Sequence, residues 1–192
     1  MKKIILLGAG GHCKSCIDVI EEQGEFEIIG IIDKKEMIGE KVLDYSIIGD
    51  DSMIPSFLKE CSNFVVCVGQ IKSSRARRKL FEEVKKLGGF FPVIVSPRAH
   101  VSRHAVVGEG TIVFHDALIN TAAKVGVNSI VNTKALCEHD SVVGDHCHIS
   151  TGAIVNGGCV IGDDVFIGSS SCLKQGVKVK DGTIVSYGTK YE

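Results

Sequence analysis

A histidine followed at once by an aspartate occurs twice in the chain, as His115-Asp116 and as His139-Asp140, the second inside Glu138-His139-Asp140. A neutral imidazole takes a proton from a nucleophile, and an adjacent carboxylate orients the ring and stabilises the imidazolium that forms. A different chemistry is offered near the start. There Gly8-x-Gly10-Gly11 follows an apolar run and precedes a helical pattern, which suggests backbone amides at a helix start facing a phosphate. The dinucleotide fingerprint wants a third glycine where Cys13 stands, so this motif by itself is weak. Cys13-x-x-Cys16 has the spacing of a redox pair, but with no second cysteine pair two small helix residues are the simpler reading. His139, His146 and His148 invite a metal. Their spacings of seven and two do not match the paired H-x4-H of β-helical zinc enzymes, so no metal is expected.

What must position these residues is legible from periodicity. From Val95 to Val185 an aliphatic side chain returns every six positions, and fifteen of the sixteen are Val, Ile or Leu; the exception is Cys137. Four residues after each stands a second series, Ala99 to Thr189, in which fourteen of sixteen are Ala, Ser, Thr or Cys. One large and one small inward residue per six describes short strands joined by tight corners and stacked in parallel. Gly, Asp and Asn fall between them, where positive φ is tolerated. His139 is third in its hexad, at an outward corner, and its hexad begins with the irregular Cys137. His115 occupies the same place four hexads earlier, one coil and one face away, and reads as structural.

Residues 1–92 follow another rule. Strands are expected at Lys3–Leu7, Glu27–Ile32 and Asn63–Val68, and helices at Lys14–Gln23 and Ser73–Leu87, a small parallel α/β sheet. Residues 34–62 are poorly patterned, with a turn at Ile47-Ile48-Gly49 and a short helix over Asp51–Lys59. Asp33 ends the second strand, where an acid commonly binds a ribose or base. Gly69 follows the third strand at the same carboxyl edge.

Bulk properties remove some classes. A net charge of −1 without an extended Lys/Arg tract argues against nucleic acid as a partner. No stretch approaches the roughly 20 apolar residues of a membrane span. Eight cysteines without a regular framework, and a short apolar start cut off by glycines, point to reduced thiols and a cytoplasmic setting.

The order of parts resembles the sugar acetyltransferases of the PglD/NeuD type, which belong to the hexapeptide-repeat, left-handed β-helix family. The resemblance rests on Gly10-Gly11-His12, Asp33, Asn132-Thr133, Glu138-His139-Asp140, Gly144, His148 and Gly157. It implies a Rossmann-like nucleotide-sugar-binding domain over 1–92 and a left-handed β-helix acetyltransferase domain over 93–192. It further implies homotrimers with active sites at subunit interfaces, acetyl-CoA as co-substrate, and a UDP-linked 4-amino-deoxysugar as acceptor. Sialic acid O-acetylation, or a non-catalytic nucleotide-sugar-binding role, are the alternatives. Carried over by residue, His139 is the general base and Asp140 its acidic neighbour, a Glu in the family pattern and so one methylene shorter here. His148, Gly157, Ser169 and Tyr187 fall at positions contacting acetyl-CoA; His148 or backbone N–H groups would meet the developing oxyanion. Gly10, Gly11, His12, Asp33, Lys34, Gly69 and Asn132 match the nucleotide-sugar pocket. No cysteine stands beside a base, which favours direct transfer over an acyl-enzyme. Relatives usually continue into a Gly-Val-Pro-Ala segment that the sequence to Glu192 does not contain, so the hold on CoA is expected to differ.

Overall fold

The computed structural model describes residues 1–192, which divide into two compact units: Met1–Gly69 with Arg75–Pro92, and Gln70–Ser74 with Val93–Glu192. In the first, β1 (Lys2–Leu7) carries the fully buried run Ile4–Leu7. It leads into α1 (Gly11–Gln23), capped at its end by left-handed Gly24, whose N–H bonds to the Ile20 carbonyl. β2 (Phe26–Ile32), β3 (Lys41–Val42), β4 (Tyr45–Gly49) and β5 (Phe64–Val66) complete a sheet of order β3-β4-β2-β1-β5. Only the β3–β4 pair is antiparallel. Because β1 lies between β2 and β5, the chain leaves it toward both sides, and a crevice opens at its carboxyl end. α3 (Arg75–Lys86) packs on β5, following the short α2 (Ile54–Phe57) in the chain.

Three expectations change here. Ile47-Ile48-Gly49 is not a turn but the end of strand β4, paired in parallel with β2. Its period-2 signal is only five residues long, and Ile48 finds its place against Gly30 of β2, where a Cβ would come within 2.6 Å of the Ile48 side chain. The helix expected over Asp51–Lys59 breaks into a 3-10 turn (Asp51–Met53) and α2, with Pro55 near the start of the latter. The charged helix begins at Arg75 rather than Ser73, because Gln70–Ser74 belongs with the other unit.

The second unit is three ladders of two-residue strands, with six, six and five strands. Each strand pairs in parallel with the one eighteen residues on, as in Ile119↔Cys137↔Val155. One face contains Ile130–Val131, His148–Ile149 and Phe166–Ile167; the next contains Leu136–Cys137 and Ile154–Val155. Both inward series are buried, with Val131, Cys137, Ile149 and Val155 alternating with Ala135, Ser141, Cys147 and Ala153. The small series is polar for a reason. Thr111 Oγ1, Ser129 Oγ, Cys147 Sγ and Ser171 Oγ each bond to the carbonyl fifteen residues ahead, at 2.7–3.2 Å. These three hydroxyls and the thiol are thereby satisfied.

Corners repeat as strictly as strands. Gly110, Asp116, Ala122, Asn128, Lys134, Asp140, His146, Gly152, Gly158, Asp164, Ser170, Gly176, Gly182 and Gly188, six apart, all have positive φ. On one of these edges Gly108, Gly126, Gly144 and Gly162 stack so closely that a Cβ on Gly144 would lie 2.7 Å from the Gly162 carbonyl carbon and oxygen. That contact is with backbone, which cannot rotate away. Gly144→Ala should therefore lower the free energy of unfolding by about 1–3 kcal/mol, read by chemical denaturation.

Candidate active site

His139 stands in the corner that follows Leu136–Cys137, and Asp140 is the left-handed residue of that corner (φ 59°). Backbone bonds clamp it from both sides: Asp140 N–H donates to Thr121 at 3.2 Å, and the His139 carbonyl accepts from Gly158 N–H at 3.1 Å. The turn brings His139 Nδ1 to 2.9 Å from Asp140 Oδ2, so the shorter aspartate reaches the ring. Hydrogen bonding to Asp140 raises the imidazole pKa above its ordinary value; burial opposes this, and the charges of Asp140 and Glu138 add to it. Glu138 Oε2 also accepts from His139 N–H (3.1 Å) and from Asn120 Nδ2 (2.7 Å), which fixes the start of the corner.

One coil above lies Gly157. A Cβ there would come within 2.8 Å of His139 Nε2 and Cε1, so only glycine leaves the imidazole its place. With Nδ1 held by Asp140, Nε2 is the nitrogen left to accept a proton. The rival His115 is occupied otherwise: its Nδ1 lies 2.7 Å from buried Ser96 Oγ, and Asp116 takes Arg98 Nη2 at 2.8 and 3.1 Å.

His148, Asn132, Ser169 and Tyr187 belong to the neighbouring face and the edge that follows it. His148 is buried, stacked edge-on against Phe166 with centroids 5.2 Å apart, and bonded to Gln70 and Asn132. Both ring nitrogens are thus committed, and His148 offers no N–H to an oxyanion in this arrangement. Ser169 Oγ meets Ser150 Oγ at 2.9 Å, and exposed Tyr187 stands one coil beyond Ser169. Within one chain, then, His139, Asp140 and Gly157 share one edge, while Asn132, His148, Ser169 and Tyr187 share another. No group of three or more His, Cys, Asp or Glu side chains is arranged to hold a metal; His146 bonds to Asn128 at 3.0 Å.

Of the residues expected to bind a nucleotide sugar, Asn132 belongs to the second unit and the others to the first. In the first unit, Asp33 clasps the glycine turn. One carboxylate oxygen accepts from Ala9 N–H and the other from Lys34 N–H at 2.7 Å. A cavity of about 260 Å³ opens here, walled by Gly8, Asp33, Lys34, Asp50, Asp51 and Ser52 among others. Gly10, Gly11, His12 and Gly69 lie off its wall. Gly10 precedes α1 as its N-cap, with no side-chain cap and no acid in the first turn. A Cβ on Gly69 would sit 3.5 Å from His12 Cβ.

Asp50, Asp51 and Ser52 escaped the sequence reading. They follow β4 as Asp33 follows β2, and the carboxyl-edge rule would have found them had β4 been recognised. Asp50 Oδ1 accepts from Ser52 Oγ and N–H, which holds its carboxyl below the usual range.

Cys13 and Cys16 are buried in α1 beside Cys67. Burial opposes a charged Cys16, but hydrogen bonds from Cys67 and His12 and the nearby His12 and Arg77 outweigh it and lower the thiol pKa. Burial pushes Cys137 and Cys147 up to about 12, so these β-helix thiols stay neutral.

Among solved structures, the acetyltransferase domain of PglB from Neisseria gonorrhoeae FA1090, in complex with acetyl coenzyme A, is 30% identical. The match covers 97% of this chain and 89% of that one, with a TM-score of 0.90. The chain belongs to the PglD/NeuD-type sugar acetyltransferases of the hexapeptide-repeat family. Family models agree with that assignment. The PglD N-terminal domain matches residues 3–84, and the bacterial transferase hexapeptide (six repeats) matches residues 140–175. PerB from Caulobacter crescentus, in complex with CoA and GDP-perosamine, is 28% identical over 100% of this chain and 90% of that one, with a TM-score of 0.90. UDP-N-acetylbacillosamine N-acetyltransferase of Bacillus subtilis (strain 168) is 26% identical over 119 residues, 59% of this chain. The match spans about half of that relative's length, 51%. As in this family, the three ladders form a left-handed β-helix, which follows a Rossmann-like domain in the chain.

Replacing Asp140 with Asn removes the carboxylate that raises the His139 pKa. The ring should then titrate at lower pH, nearer an ordinary imidazole, as followed by NMR of the His139 ring protons.

Proposed function

We propose that the protein transfers the acetyl group of acetyl-CoA directly to the amino group of a nucleotide-linked amino-deoxysugar, with His139 as general base. The observation that carries this is the His139–Asp140 pair at 2.9 Å, set in an outward corner beneath a glycine that leaves the ring its space. An ammonium group attacks a thioester only after losing a proton. Neutral His139 accepts it at Nε2, and Asp140 holds Nδ1–H and stabilises the resulting imidazolium. No hydrogen bond within the chain takes up the Gly157 N–H, which makes it, rather than His148, the donor for negative charge developing at the thioester oxygen. Direct transfer suits a β-helix in which burial keeps the Cys137 and Cys147 thiols neutral.

Acetyl-CoA as donor draws support from the PglB domain and PerB, whose structures hold acetyl coenzyme A and CoA. The acceptor class draws support from PerB with GDP-perosamine and from the Bacillus enzyme named for a UDP-sugar. UDP remains the proposed nucleotide, with GDP as the comparison. The Asp33–Ser52 cavity is the proposed nucleotide-sugar site. His139 and the Ser169–Tyr187 pair stand on different edges of one chain, so a site using both needs a second copy. That supports the homotrimer. No helix is long and apolar enough to cross a membrane, and eight free cysteines fit the proposed cytoplasmic setting.

The test follows CoA thiol release with acetyl-CoA and UDP- or GDP-linked 4-amino-deoxysugars, with sialic acid as the hydroxyl acceptor. Turnover of an amino sugar is expected, and His139→Ala should lower kcat/KM by roughly 10²–10⁴-fold. Near wild-type turnover by that variant would sink the base assignment, and preference for sialic acid would overturn the acceptor. The base works unprotonated, so the rate should rise with pH through the raised His139 pKa. In Asp140→Asn that rise should move to lower pH while the plateau falls.

A further inference from the structure

His148 sits in a relay whose two ends have fixed polarity. At one end the Gln70 carbonyl, which only accepts, lies 2.7 Å from His148 Nδ1. At the other end Thr133 N–H, which only donates, lies 2.8 Å from Asn132 Oδ1. The first contact puts the proton on Nδ1. The second identifies the oxygen of the Asn132 amide, so the group 3.1 Å from His148 Nε2 is the Asn132 NH2. Nε2 must then be a bare acceptor, and the ring neutral. An imidazolium would set N–H against N–H. The Phe166 ring fixes the plane, and Gln70 is itself 2% exposed within Gln70–Ser74, the segment that packs with the β-helix. The far end of this strap is held by Ser74 Oγ donating to Asp164 Oδ1 at 2.6 Å.

We infer that His148 is a positioning residue: held by the Gln70 strap as the neutral Nδ1–H tautomer, it uses Nε2 to orient the Asn132 amide. One Asn132 Nδ2 proton is consumed by the ring, and the other is left to be offered to the acetyl donor or its acceptor. This rests on the acetyl-transfer reading above, and it assigns Asn132 to the β-helix edge of the site rather than to the nucleotide pocket. Gln70, which the sequence did not single out, becomes part of the machinery through its backbone carbonyl. The strap matters because a ring with the same neighbours but a free Nδ1 could adopt either tautomer, and only one of them aligns Asn132.

Two substitutions separate the two bonds. His148→Gln can place a carbonyl oxygen near the Nε2 position and still receive Asn132. His148→Asn can place an NH2 near the Nδ1 position, keeping Gln70 but losing Asn132. The expected result is that His148→Gln retains kcat within about threefold, whereas His148→Asn loses roughly tenfold or more. In 15N spectra of the wild-type protein at neutral pH, His148 should show a single Nδ1–H tautomer. The Asn132 side-chain amide should stay slowly exchanging in His148→Gln and become fast in His148→Asn. An Nε2–H tautomer, an imidazolium, or equal behaviour of the two variants would overturn the inference. The spectra need no turnover, so a wild-type protein that acetylates nothing would sink the functional reading while the tautomer result still stands or falls alone.

Discussion

The hydrogen bond from each left-handed corner to the coil below it is the constraint on which the β-helix depends. In the corner series running from Asn128 to Gly188, positive φ swings the N–H out of its own coil and onto the carbonyl nineteen residues earlier. Asp140 to Thr121, His146 to Val127, Gly158 to His139 and Gly176 to Gly157 are examples, at 2.8–3.2 Å. For a residue with a Cβ this conformation costs about 1–2 kcal/mol. The ladder accepts that cost at Asn128, Lys134, Asp140, His146, Asp164 and Ser170. Corner length is fixed as a result, and with it the register of every inward side chain.

The His139–Asp140 geometry is a by-product of the same bond. His139 precedes a left-handed residue, so its side chain and that of Asp140 diverge from the coil at an angle that lets neighbours in sequence meet at 2.9 Å. In an extended strand they would point to opposite faces. The coil above then determines what the ring may touch, and Gly157 is what it touches. The Asn132 amide is fixed in the same manner on the adjacent edge, by Thr133 N–H beside it and by His148 one coil later.

Much of this was legible in the sequence because a period of six repeated over 96 residues leaves a hydrophobic pattern little freedom. The inward series, the outward corner of His139 and the parallel sheet of the first ninety residues could be read from side-chain type. What escaped was short or carried by the backbone. Tyr45–Gly49 is too brief for its alternation to stand out, and with it went Asp50, Asp51 and Ser52. The strap Gln70–Ser74 carries no periodicity at all, and the group of Gln70 that matters is a carbonyl every residue has. The Arg98 partner of Asp116, eighteen residues earlier, also escaped, because sequence adjacency could not suggest it.

The glycine above His139 also limits how such a stack can be populated. Side chains eighteen residues apart share one narrow column, here Thr121, His139, Gly157 and Gln175. An imidazole in this column occupies the room a Cβ would need in the next coil. Two histidines therefore cannot stand in successive coils on this edge without one displacing the other. The scaffold behaves like a rack with fixed slots in which a bulky reactive group leaves the slot above it vacant. Shifting the arrangement along the axis would mean moving histidine, aspartate and glycine together by a whole coil, which ties its position to the step of the spiral.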